Sequence, residues 1–231
     1  MHPILSGIRL VSFDLDGTLI DSVPDLAAAV DASLAELELP LAGETRVRDW
    51  VGNGSLVLME RALAFARQEV PDAQILARAH TAFLEHYGRD PGSRTSLYPG
   101  VRECLDALRD RELTLTLITN KPAAFIQPIL EQFGLERYFA LCLGGDSLPQ
   151  KKPDPAPLRH VAERFDRAPA ACLMVGDSRH DVAAGHAAGF RTLAVTYGYN
   201  HGEPIGDSRP DALVDSLAEL VDTIPLSRNS S

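Results

Sequence analysis

Lysine is almost missing from this chain: Lys121, Lys151 and Lys152 are the only three in 231 residues, against nineteen arginines. Basic residues are outnumbered 22 to 32 by acidic ones, and the resulting net charge of −10 argues against nucleic acid or an anionic membrane as a partner. Cysteine is sparse as well. Cys104, Cys142 and Cys172 stand far apart in apolar surroundings, which excludes a CxxC redox motif or a zinc cluster and predicts buried free thiols in a reducing compartment. No apolar run approaches the roughly 18 residues of a membrane span. The segment Met1-His2-Pro3-Ile4-Leu5 has neither a basic flank nor a long apolar stretch, so no secretory signal is expected. No internal repeat appears, and residues 227–231 form a short polar tail that is expected to fray. The remaining expectation is a globular protein of the cytoplasm, with enough chain for one large domain carrying a smaller insertion. Nothing in the sequence sets its oligomeric state.

Short, nearly continuous apolar runs recur at residues 8–13, 113–118, 139–143, 172–175, 192–195 and 212–214. Such runs suit parallel strands covered on both faces. Segments of helical period at 101–111, 122–133, 155–165 and 181–188 alternate with them. This predicts an α/β fold, a doubly wound parallel sheet with a Rossmann-like core, which binds ligands beyond the carboxyl ends of its strands.

One stretch breaks the alternation. Between residues 20 and 96 there is helical period and no convincing strand. Leu26, Ala29, Val30, Leu34 and Leu37 make one apolar stripe, and Met59, Ala62, Leu63 and Ala66 another. Ser22-Val23-Pro24-Asp25 reads as a capping box that starts the first of these helices. A helical cap domain, residues 20–96, is therefore expected to emerge after the first strand, the core being residues 1–19 and 97–231.

The chemistry-bearing residues gather at strand ends. The first strand runs out into Phe13-Asp14-Leu15-Asp16-Gly17-Thr18-Leu19, and two carboxylates leaving an apolar strand need a cation or a shared proton. A calcium loop is excluded because Leu19 stands where that loop requires glycine. Thr119-Asn120-Lys121 closes the second core strand, Lys151-Lys152-Pro153-Asp154 follows the third, and Gly176-Asp177-Ser178-Arg179-His180-Asp181 follows the fourth. Topology puts all four turns on one sheet edge, where acids suited to a divalent ion face a lysine and a hydroxyl suited to phosphate.

That ordered set of motifs resembles the haloacid dehalogenase superfamily of phosphohydrolases over nearly the whole chain. The resemblance implies Asp14 as nucleophile, forming an aspartyl-phosphate, and Asp16 as general acid and then base. It implies Mg²⁺ held by Asp14, the main-chain carbonyl of Asp16, and Asp177. Thr119, Asn120 and amides near Gly17 would hold phosphoryl oxygens, Lys152 would offset their charge, and Asp181 would orient Lys152 or a metal-bound water. The family pattern favours Lys152 over Lys151 for this role. Lys121 reads as a charge at the rim, His180 as peripheral, and Ser178 as a possible neighbour of the metal's waters. The other histidines read as surface or ordinary core residues.

The cap narrows the substrate. Gly52-Asn53-Gly54 resembles the family's specificity loop, with Ser55, Arg46 and Arg48 near enough to help grip a small anionic leaving group; the alternative is a plain inter-helix turn with Trp50 in the cap core. The cap has no lysine for the Schiff base of phosphonoacetaldehyde hydrolases. Asp16 is an acid that haloacid dehalogenases lack and that P-type ATPases replace by threonine. The opening motif, Trp50-Val51-Gly52-Asn53-Gly54 and Thr196-Tyr197-Gly198-Tyr199 are together similar to bacterial phosphoglycolate phosphatases, which implies 2-phosphoglycolate, a small anionic phosphate ester, as substrate. A β-phosphoglucomutase, a broad small-ester phosphatase and a non-enzymatic phosphoacceptor module are the alternatives.

Overall fold

The computed structural model describes residues 2–221; the polar tail lies outside them. The core is a six-stranded, wholly parallel sheet in the order β5-β4-β1-β6-β7-β8, formed by β1 (Leu10–Phe13), β4 (Thr114–Ile118), β5 (Leu141–Leu143), β6 (Cys172–Gly176), β7 (Arg191–Val195) and β8 (Ala212–Val214). Helices α5 (Val101–Arg109), α6 (Ile126–Gln132), α7 (Ala156–Arg164), α8 (Arg179–Ala188) and α9 (Ala218–Val221) connect and flank the strands. Every strand and helix anticipated in this part of the chain is present, with ends shifted by a few residues. The expected helix at 122–133 is a 3₁₀ turn (Ala123–Phe125) running into α6.

β1 is buried along its whole length, between β4 and β6. Ser12 would leave a hydroxyl stranded there, but its partner in register is Thr116, and the two hydroxyls lie 2.9 Å apart in a hydrogen bond. The chain leaves β1 toward β4 and β5 on one side and returns to β6 on the other, so the order reverses at β1. Its carboxyl end is the crevice in which doubly wound sheets bind ligands.

Four helices, α1 (Val23–Glu36), α2 (Glu44–Trp50), α3 (Ser55–Arg67) and α4 (Ala73–Arg89), pack around an apolar cluster of their own. Leu26, Ala29, Val30, Leu34, Met59, Ala62 and Leu63 are buried in it, while Leu37 and Ala66 are half-buried at its edge. Two sequence expectations need correcting here. The helical segment is bounded by a two-stranded antiparallel ribbon, β2 (Ile20–Asp21) with β3 (Ser96–Leu97). Two-residue strands are too short to carry a period, and their pairing is set by residues far apart in sequence. The capping box is also absent. The Ser22 hydroxyl donates to Asp16 Oδ1 at 2.5 Å, and Asp25 accepts from Ser93, the Arg94 amide and Thr95, tying the outgoing and returning segments together.

Cys104 and Cys172 are buried and all three thiols are free; Cys142, on edge strand β5, is only half-buried. Among the described residues no helix is long and apolar enough to cross a membrane.

Candidate active site

Asp14 is the first residue beyond β1, and its amide donates to Val175 O at 2.9 Å, so the sheet ladder fixes its backbone. The chain then turns sharply, with Leu19 and Ile20 amides returning to Leu15 O. Gly17 makes this turn at φ +86°, and a Cβ there would collide with the Asp177 carboxylate. Only glycine allows the backbone so close.

Asp177 and Asp181 come from the end of β6 and the start of α8. Asp177 accepts from Thr18 Oγ1 at 2.9 Å and from the Tyr199 amide at 2.6 Å. Asp181 accepts from the Ser178 amide and hydroxyl at 3.0 and 2.7 Å through Oδ2, and from Lys152 Nζ at 2.6 Å through Oδ1. The one hydroxyl proton of Ser178 is thereby committed to Asp181. Lys152 Nζ also lies 2.9 Å from Asp14 Oδ1, so one buried ammonium stands between two buried carboxylates.

Carboxylate oxygens of Asp14, Asp177 and Asp181 lie within 4.8 Å of one another, all three residues being buried. Burial pushes Asp14 up to about 6, with the Asp181 charge adding to the rise and Lys152 opposing it. Burial raises Asp177 well above the usual carboxylate range, and the charges of Asp14 and Asp181 raise it further. For Lys152, burial disfavours the ammonium, but the two carboxylates outweigh it and the net shift is upward. Asp14 Oδ1 receives no well-aligned hydrogen bond despite the nearby ammonium. Excess buried negative charge with an acceptor left over is a donor set suited to a hard cation.

The remaining anticipated residues divide. Thr119, at the end of β4, is buried and lines a cleft of about 480 Å³, partly open to solvent, together with Asp14 and Asp16. Asn120 lines the same cleft, but its amide nitrogen is engaged elsewhere. Its Nδ2 donates to Gly52 O and to Lys152 O, both at 2.9 Å, pinning the Gly52 loop and the Lys152 loop to the end of β4. Arg46 and Arg48 do not line the cleft either: Arg46 stacks on Phe65, and Arg48 pairs with Asp21 and Glu44.

The Gly52-Asn53-Gly54 loop meets the core at several points. Lys151 Nζ donates to Asn53 O at 2.8 Å, and Asn53 Nδ2 donates to His180 Nε2 at 2.8 Å. His201 Nδ1 donates to Asp49 O at 3.0 Å, and Arg61 holds both Trp50 O and Asn53 Oδ1. His180 therefore contacts the Asn53 loop and His201 the end of α2, and neither is an incidental histidine. Lys121 is the larger correction. Its side chain is 3% exposed, its ammonium lies 2.8 and 3.1 Å from the two Asp16 oxygens, and it sits 4.8 Å over the Tyr87 ring of α4. It is no rim charge; its place directly after Thr119-Asn120 at a strand end was the signal for a site residue.

A haloacid dehalogenase-like hydrolase family model matches residues 8–189 of the chain. The chain belongs to the haloacid dehalogenase-like hydrolases. Relatives in this family include proteins named phosphoglycolate phosphatase from Nitrosococcus oceani and from Escherichia coli K12, each 46% identical to this chain. The alignments cover 92% of this chain and 94% of the first relative, and 95% and 93% for the second. The crystal structure of a predicted phosphoglycolate phosphatase from Haemophilus somnus 129PT superposes with a TM-score of 0.89 at 40% identity, covering 93% of this chain and 96% of that one. Haloacid dehalogenase-like phosphatases use a metal ion, and the buried Asp14-Asp177-Asp181 cluster is where this member could hold one.

Proposed function

We propose that this protein hydrolyses 2-phosphoglycolate to glycolate and inorganic phosphate. The observation that carries the reading is Asp14: a buried carboxylate at the tip of the central strand, flanked by Lys152 and Thr119 and opening into a small cleft roofed by helices. Similarity to the phosphatases named above supports the choice of ester.

In this reading Asp14 attacks phosphorus, the phosphorus–ester oxygen bond breaks, and Asp16 gives its proton to the departing glycolate oxygen. Asp16 then takes a proton from water, which attacks phosphorus, releases phosphate and regenerates Asp14. Thr119 Oγ1 and the amides beyond Asp14 donate to phosphoryl oxygens, and Lys152 offsets their charge. Asp181 and Ser178 keep the Lys152 ammonium aimed at Asp14. Asp14, the Asp16 carbonyl and Asp177 would hold Mg²⁺, whose charge offsets the repulsion between a carboxylate and a phosphate dianion. Residues 20–96 act as a cap over the core formed by residues 1–19 and 97–231, and the Gly52-Asn53-Gly54 loop forms part of the roof over the substrate. Free thiols fit a cytoplasmic setting.

The test is phosphate release from a panel of small esters with Mg²⁺ present. The reading requires 2-phosphoglycolate to lead the panel; conversion of β-glucose 1-phosphate to glucose 6-phosphate instead would identify a mutase.

A further inference from the structure

The cleft above Asp14 is mostly apolar on its cap side, where Leu26, Val51, Leu58 and Phe83 face it. Among the described residues that line it, Lys121 is the one basic side chain. A carboxylate entering such a space must be paired or it stays in water. Lys121 already binds a carboxylate there, holding both oxygens of Asp16.

We propose that Lys121 is the specificity-determining residue that recognises the carboxylate of the leaving group, exchanging its grip on Asp16 for a grip shared with the substrate. The inference rests on the phosphoglycolate reading above and goes beyond it by naming the residue that selects for the acid. Simple bond counting supports it. In 2-phosphoglycolate the carboxylate carbon is two bonds from the ester oxygen. Asp16 serves that oxygen, and the Lys121 ammonium lies about 3 Å from Asp16, so the same ammonium reaches a carboxylate on the neighbouring carbon. Tyr87, from the cap, backs the ammonium with its ring face, so the cation is assembled from core and cap together. A neutral leaving group leaves Lys121 fully engaged by Asp16; an acidic one competes for the ammonium and loosens the acid that must turn toward the ester oxygen. The leaving group's charge then affects both binding and the readiness of Asp16.

The experiment compares kcat/KM for 2-phosphoglycolate and for ethyl phosphate, which lacks the carboxylate, in the Mg²⁺-loaded parent and in Lys121→Gln and Lys121→Arg. The expected result is a preference for phosphoglycolate in the parent that falls by roughly 30-fold in Lys121→Gln, the scale of one charged hydrogen bond, much of it as a raised KM, and recovers in part in Lys121→Arg. Equal losses on both esters in Lys121→Gln, leaving the ratio intact, would mean that Lys121 only braces Asp16 and would overturn the proposal. A parent without any preference would overturn the substrate reading itself, which is a distinguishable failure. If Lys121→Gln does not fold, Lys121→Met, of similar length and uncharged, is measured in its place against the same ratio.

Discussion

Tyr199 ties the end of the sheet to the first residues of the helical segment: its amide donates to Asp177 Oδ2 at 2.6 Å, while its hydroxyl donates to Asp21 Oδ1 at 2.5 Å and accepts from the Ser22 amide at 3.0 Å. The main chain of one residue orients a buried acid, and its side chain anchors the segment that leads into the cap. Tyr199→Phe removes the second function and spares the first. The Ser22 amide is then left buried and unpaired, so the variant should lose about 1–3 kcal/mol of stability. Its Mg²⁺ affinity should be unchanged. Thermal unfolding and metal titration separate the two effects, and a marked loss of metal affinity would show that the hydroxyl also controls Asp177.

The roles proposed for Asp14 and Asp16 predict that their variants fail differently. Asp14→Asn should lower phosphate release by at least about 10³-fold, as loss of a nucleophile does elsewhere. Asp16→Asn should cost roughly 10²–10⁴-fold while still allowing Asp14 to take up a phosphoryl group. Rapid-quench trapping of the aspartyl-phosphate checks both; near-parental turnover in both variants would refute the mechanism.

Metal and pH should be linked through Asp14. Burial holds its folded-state value near 6, above that of an unfolded aspartate. A raised carboxyl favours the protonated form, so the stability tied to that proton is complete below the unfolded value and lost as pH climbs through 6. In EDTA the protein should therefore lose up to about 3 kcal/mol between acid and neutral pH. Mg²⁺ favours the ionised carboxylate and opposes this loss. The rise in Tm on adding Mg²⁺ should accordingly be larger at about pH 7.5 than at about pH 5, and equal rises at both would contradict the metal assignment. Chelation should abolish activity, and Mg²⁺ restore it.

Gly17→Ala tests how tightly the turn is packed. The new methyl meets the Asp177 carboxylate, and the backbone must hold φ +86° with a side chain attached. Strain of this kind costs on the order of 1–3 kcal/mol, and displacement of Asp177 should weaken Mg²⁺ binding as well as lower Tm. Isothermal titration of Mg²⁺ measures it; full metal affinity in a destabilised variant would place Asp177 outside the metal site.

Asn120→Ala should release the cap loop from β4, since both donors of that amide are spent on Gly52 O and Lys152 O. A higher KM for 2-phosphoglycolate, by roughly 3- to 10-fold, together with a loss of about 1–3 kcal/mol of stability from the carbonyls left without a donor, is the expected signature in kinetics and thermal unfolding.

The sequence alone determined the fold class and where the polar residues of the candidate site stand, because both are written locally. Strands buried on two faces must be apolar throughout, as Leu10–Phe13 and Cys172–Gly176 are, and the segments leaving such strands show their polar residues by contrast. Asp14, Asp16, Thr119, Lys152, Asp177 and Asp181 all stand at these breaks. Tertiary structure decided what each polar group faces. Lys121 read as a rim charge until β4 was placed beside β1 and α4 set over both, which left its ammonium nowhere to go but Asp16. Ser22 read as a helix cap until that same acid claimed its hydroxyl, and His180 and His201 read as incidental until the Gly52-Asn53-Gly54 loop came down beside them. Hydrophobic periodicity reports which face of an element is buried, a property of neighbours in sequence. The partner of a buried charge is chosen by electrostatics among groups that only folding brings together, and no local pattern records that choice.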